Sequence, residues 1–107
     1  MTEQALLTGR MVAAARALAG ISLEDLAEAA GLRAEDVHLA EASGSAPLAS
    51  SSEAAAIGAA LEHFGVVMLA EGGGLGAGVR LKFTRLDAVE IARLESEGGS
   101  VGDDDVP

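Results

Sequence analysis

The chain has no cysteine, no tryptophan and no tyrosine, and only two phenylalanines in 107 residues. Without cysteine there can be no disulfide, no thiolate nucleophile and no cysteine-ligated zinc. Without aromatics, large side chains for a core are scarce. Half the residues are hydrophobic, but alanine is the largest single contributor. Domains of this size are marginal alone, and self-association is a common remedy. Basic residues are also few: seven Lys and Arg stand against seventeen Asp and Glu, for a formal net charge of −10. Nonspecific DNA affinity comes mainly from neutralised phosphates, so this balance disfavours binding by charge alone. No apolar run approaches the ~20 residues of a membrane span. The opening MTEQALLTGRMVAAARALAG is interrupted by Arg10 and Arg16 and has no compact signal core with a cleavage site. The expectation is a cytoplasmic protein.

What charge there is lies unevenly. Residues 1–20 carry Arg10 and Arg16 against Glu3. Residues 21–41 carry Glu24, Asp25, Glu28, Glu35, Asp36 and Glu41 against Arg33 alone. The last acids fall in 81–107, ending in the tail SVGDDDVP, whose composition predicts disorder.

Apolar spacing organises the rest. Met11, Ala14, Ala15 and Leu18 recur at steps of three and four, predicting a first helix over 9–19 that Gly20 ends. Ser22 stands as an N-cap with Asp25 in the capping-box position. A second helix follows over 23–30, with Leu23, Leu26, Ala27 and Ala30 inward, and Gly31 supplies a tight turn. A third helix is expected over 33–42 with Val37 and Ala40 inward, and Leu39 a further candidate. Two short helices joined by such a turn form a helix-turn-helix. ASGSAPLASSS reads as a loop. Ser50 and Glu53 cap a fourth helix over 53–64, with Ile57, Ala60, Leu61 and Phe64 on one face.

The period then changes. VVML (66–69) and VRLKF (79–83) flank the glycine-rich EGGGLGAG, the pattern of a hairpin. In the second, Val79, Leu81 and Phe83 alternate with Arg80 and Lys82, giving an apolar and a basic face. An isolated two-stranded hairpin is marginal in water and needs a covering helix or a second copy. The expected arrangement is a dimer sheet formed by Val66, Val67, Met68, Leu69, Val79, Leu81 and Phe83. A short fifth helix is expected over 85–96.

Chemistry-bearing motifs are sparse. EGGGLGAG fits G-x-G-x-x-A at Gly72, Gly74 and Ala77. That fingerprint needs a helix after it, and here a strand follows, so the reading is a hairpin loop. Glu62 and His63 suggest a metal only superficially, because the two histidines sit on separate helices and no ligand spacing recurs. The serines at 50–52 belong to a cap. No catalytic residue, metal site or cofactor is expected.

The run MVAAARALAGISLEDLAEAAGLRAEDVHLAEASG resembles the lambda-repressor-like (XRE) helix-turn-helix family, in particular small bacterial members carrying a strand-glycine-strand hairpin. The matching residues are ARALAG (15–20), S-x-E-D-L-A (22–27), the Ala30-Gly31 turn, Val37 and Glu41. EHFGVVMLAEGGGLGAGVRLK matches the pattern of helix end, strand, loop and strand. The resemblance covers residues 10–82. It implies a mainly α fold: a lambda-repressor-like bundle (1–65), a dimerising β-hairpin (66–83), and a terminal helix with an acidic tail (84–107). It also implies a homodimeric DNA-binding regulator, a repressor, whose third helix enters the major groove of a two-fold operator. Residue by residue, Arg16 matches an arginine facing the phosphates, and Ser22 the cap of helix two, whose amides can bind a phosphate. Leu23 stands where the family often has Gln, Arg33 where a Ser or Thr cap is usual, and Leu39 replaces a common Arg or Lys. Ala34, Glu35, Asp36 and His38 fall on the face that would touch bases. The alternative is an interaction module, its acidic third helix meeting a basic protein surface.

Overall fold

Helix boundaries follow the capping residues. In the structure, a computed structural model describing residues 6–84, α1 (Gly9–Ala19) starts at Thr8, whose hydroxyl accepts from the Met11 amide. It ends at Gly20, which takes the left-handed φ of 71°. α2 (Leu23–Ala30) opens on a complete capping box. The Asp25 amide donates to Ser22 Oγ at 3.0 Å, and the Ser22 amide donates to the Asp25 carboxylate at 3.5 Å. Gly31, again at φ 71°, reverses the chain into α3 (Ala34–Glu41). α4 (Ser51–His63) is capped by Ser50, which accepts from the Glu53 amide. The third helix is thus two residues shorter than the 33–42 expected, because Arg33 and Ala42 are its caps. The fourth begins two residues earlier, directly after its cap.

β1 (Val66–Leu69) and β2 (Gly78–Leu81) pair antiparallel, Val66 opposite Leu81 and Met68 opposite Val79. The second strand stops short of Phe83, and Phe83 instead turns back over Gly65. A Cβ at Gly65 would lie 2.8 Å from the phenyl ring, and Gly65 sits at φ 87°. Inside the EGGGLGAG stretch, Gly72 and Leu75 exchange both backbone hydrogen bonds, with Gly73 and Gly74 between them at positive φ. Positive φ at both central residues is what a type I′ hairpin turn requires, and glycine takes it without steric cost. The glycines therefore serve the turn.

The core gathers Leu7, Met11, Val12, Ala15, Leu26, Ala27, Val37, Ala40, Ile57, Ala60, Leu61 and Val66. α2 packs on α3 and α4, while α1 and α4 cover the hairpin. This is a small, mainly helical domain with one antiparallel hairpin. One expected face needs correcting. α1 buries Val12 fully, while Leu18 is 45% exposed and Ala14 points outward. Met11 and Ala15 are buried as expected, but Val12 takes the place of Ala14 and Leu18, because alanines at 13, 14, 15, 17 and 19 carry almost no amphipathic contrast. Among the described residues no helix is long and apolar enough to cross a membrane. The expected helix 85–96 and the acidic tail lie outside the described residues.

Candidate nucleic-acid interface

The residues that would read DNA sit on α2 and α3, and α1 holds them in place. Arg16, in the last turn of α1, donates from Nε to Glu41 Oε2 at 2.7 Å and from Nη2 to Oε1 at 3.2 Å. Its Nη1 reaches the carbonyl of Ile21 at 3.4 Å. One guanidinium thus ties the end of α1, the segment leading into α2 and the last turn of α3. The pair is half-shielded, and the Glu41 hydrogen bond raises the Arg16 pKa above its already high ordinary value. Charge-assisted bidentate pairs of this kind fix geometry as well as adding energy.

A second tie lies at the other end of α1. A Cβ on Gly9 would sit 2.5 Å from the carbonyls of Ala40 and Glu41. Only glycine allows α1 this close to the end of α3. The Gly9 amide donates to Ser43 Oγ and the Arg10 amide to the Gly44 carbonyl. The first amides of α1 are therefore already satisfied by the loop after α3.

The outer side of α3 is open. Val37 and Ala40 are buried, whereas Glu35, His38 and Leu39 face solvent. Ala34 is half-buried against the core. Arg33 caps α3 without a side-chain acceptor of its own, because a guanidinium only donates. Asp36 compensates: its carboxylate accepts from the Arg33 amide at 3.1 Å and from Arg33 Nη2 at 3.2 Å. The Arg33 side chain, and then its backbone amide, hold the Asp36 carboxyl below the usual carboxylate range. Ser22 and Leu23 stand at the start of α2, where helix geometry leaves the first amides without an intrahelical carbonyl.

These positions share one neighbourhood, but the cations expected to serve it do not gather. Arg16 is spent on Glu41 and Arg33 on Asp36. Arg80 projects from the hairpin opposite Val67. Glu24, Asp25, Glu28 and Glu35 remain exposed, with no ion pair among the described residues. The Arg16–Glu41 link was not readable from local spacing, since 25 residues separate the partners. The Arg33–Asp36 pair was readable, being an N-cap and N3 combination three residues apart.

The structure divides the expected dimerisation set. Val66 is wholly inside, and Met68, Val79 and Leu81 pack partly against the core. Val67 and Leu69 lie on the other face of the strand, and Phe83 leans on Gly65. In a chain with so few large side chains, the inner face of the hairpin is used to complete the core.

No family model matches the chain, and no curated protein matches it. The family resemblance therefore rests on the residues that carry it.

Proposed function

We propose that the protein is a sequence-selective DNA-binding transcriptional regulator, a repressor acting as a homodimer, with a lambda-repressor-like helix-turn-helix formed by α2, Gly31 and α3. On this reading it works in the cytoplasm, on the nucleoid when bound. The observation that carries the reading is the open outer side of α3. Its inner residues are buried, and Arg16 and Gly9 hold it rigidly to α1. A reading helix needs that combination of exposure and fixed orientation.

Pairing softens the charge problem. Of the three acids on α3, Glu41 is neutralised by Arg16, and Asp36 is paired with Arg33 in the free protein. Glu35 is left, with Asp36 once Arg33 turns to a phosphate, and a carboxylate can accept from a cytosine amino group. Phosphates would be met by the first amides of α2 and by Arg33, whose side chain is 77% exposed and free to swing from Asp36. With so few cations engaged, binding should be selective for sequence, weak on random DNA and shallow in salt dependence.

The test is selection of genomic fragments by the purified protein, followed by sequencing, beside an Arg33→Ala control. The expected result is a paired site with half-sites about one helical turn apart, lost in the variant. Equal affinity for random and selected DNA would sink the proposal. A second reading has its own support in the exposed Glu24, Asp25, Glu28 and Glu35. An interaction module would offer that acidic surface to a basic protein, and would enrich no DNA at all.

A further inference from the structure

We infer that a second copy of this chain docks in the open groove between α4 and β1, over Gly58. This deepens the homodimer reading, on which it rests, by naming the surface. The groove has a volume of about 760 Å³ and is lined by Leu6, Ala55, Gly58, Ala59, Glu62 and Val67 among others. Leu6 is 70% exposed, and Leu69, on the same strand face as Val67, is 40% exposed. Apolar surface left open in this way marks a partner.

Three observations select a second copy as the occupant. The first is Gly58, inside α4 and with nothing within 4 Å of where a Cβ would stand. Glycine inside a helix costs stability relative to alanine, and no neighbour within the described residues requires it here. A neighbour from outside, approaching the α4 backbone closely, would require it. The second is charge. Two chains this acidic repel, so they can meet only where acids are scarce. Among the described residues, the exposed acids of α2 and α3 line no part of this groove, and Glu62 is the one acid in its lining. The third is complementarity. Arg80 is the cross-strand partner of Val67, beside the groove. Neither Arg80 nor Glu62 has an ion-pair partner among the described residues. A patch with an acid beside a base is self-complementary under a two-fold axis, each Glu62 meeting the Arg80 of the other copy.

This arrangement leaves Val66 in the core of its own chain and offers Val67 and the open side of Met68 to the partner. The α2–α3 surface stays uncovered, as a DNA reader needs.

The test is the oligomeric state of the full chain by sedimentation across a range of concentrations, for wild type, Gly58→Arg and Ala55→Glu. Ala55 is exposed, and among the described residues nothing lies within 4 Å of a Cβ at Gly58, so both substitutions fit the described part of the chain. Helical circular dichroism checks this, and if one variant unfolds the other carries the comparison. The expected outcome is a wild-type dimer and association weakened by about 100-fold in each folded variant, as a buried unpaired charge demands. A monomeric wild type, or a dimer indifferent to both substitutions, overturns the proposed surface. DNA selection is read separately, so a groove-dependent dimer that enriches no site overturns the regulator alone.

Discussion

The two sides of this small domain are held by different forces. Around the junction of α1 with α3 the ties are polar and specific: the bidentate Arg16–Glu41 pair, the Gly9 and Arg10 amides on the following loop, and a glycine that lets backbones nearly touch. On the side of α4 and the hairpin the contacts are apolar, built from Ile57, Leu61, Val66, Met68 and Val79. Directional bonds fix orientation to within tenths of an ångström, whereas hydrophobic contact fixes burial and tolerates sliding. The difference is what the proposed regulator calls for, with α3 presented at one angle and a greasier surface left for association.

The largest effect should come from closing the gap at Gly9. Gly9→Ala places a methyl 2.5 Å from two carbonyl oxygens, neither of them the end of a flexible side chain. Backbone must move, and overpacking of this kind costs about 3 kcal/mol. Urea denaturation measures it. A loss near zero would mean that α1 and α3 are not in such intimate contact. By contrast Gly58→Ala, in α4, meets nothing within 4 Å among the described residues, so the two glycines separate the two sides of the molecule in one comparison.

Next comes the ion pair. Glu41→Ala leaves Arg16 half-shielded and without its carboxylate, at a cost of about 1–2 kcal/mol. Arg16→Ala should cost a similar amount, and the double variant should lose much less than the sum, because the residues act as one unit. Strict additivity would show that the pair contributes nothing. The losses should also appear in DNA selection if the orientation of α3 matters, since the pair ties the last turn of α3 to α1.

How much of this could be read in advance depended on range. Ser22 with Asp25, Ser50 as the cap of α4 and the glycines ending α1 and α2 act within four residues and stand where the sequence predicts, although at Ser50 only the serine half of the expected capping box is formed. The first strand also stood out, being β-branched and bounded by glycine. Alanine scarcely distinguishes inside from outside, so the apolar spacing of α1 does not reveal that Val12 is buried and Leu18 exposed. The roles of Gly9 and of Arg16 with Glu41 depend on segments brought together across some thirty residues, and nothing local signals them. Of the candidate interface, the positions on α2 and α3 were legible. That its arginines would be engaged by acids of the same chain was legible only for Arg33, through its spacing to Asp36.

The smallest effect belongs to that exposed pair. Asp36 is held below the ordinary carboxylate range by Arg33, first through the side chain and then through the backbone amide. A carboxyl depressed in the folded state stabilises the protein above its unfolded pKa of about 3.9, and that stabilisation is lost as pH falls through the folded value. Wild type should therefore weaken more steeply in acid than Asp36→Asn, which keeps an oxygen for the Arg33 amide but carries no charge to titrate. Because the pair is open to solvent, the difference should be small and should shrink further in high salt. Denaturation midpoints across the acid range, at two salt concentrations, measure it, and identical acid limbs would show that the pair is not formed in solution. The same variant acts on the candidate interface in the opposite sense. Losing a negative charge and releasing the Arg33 guanidinium should raise affinity for random DNA, because a cation no longer held by its own chain can meet a phosphate. Glu41→Ala should bring no such gain, since Arg16 is also anchored to the Ile21 carbonyl. An arginine held only by a surface carboxylate can be recruited, whereas one that ties helices together has to stay where it is.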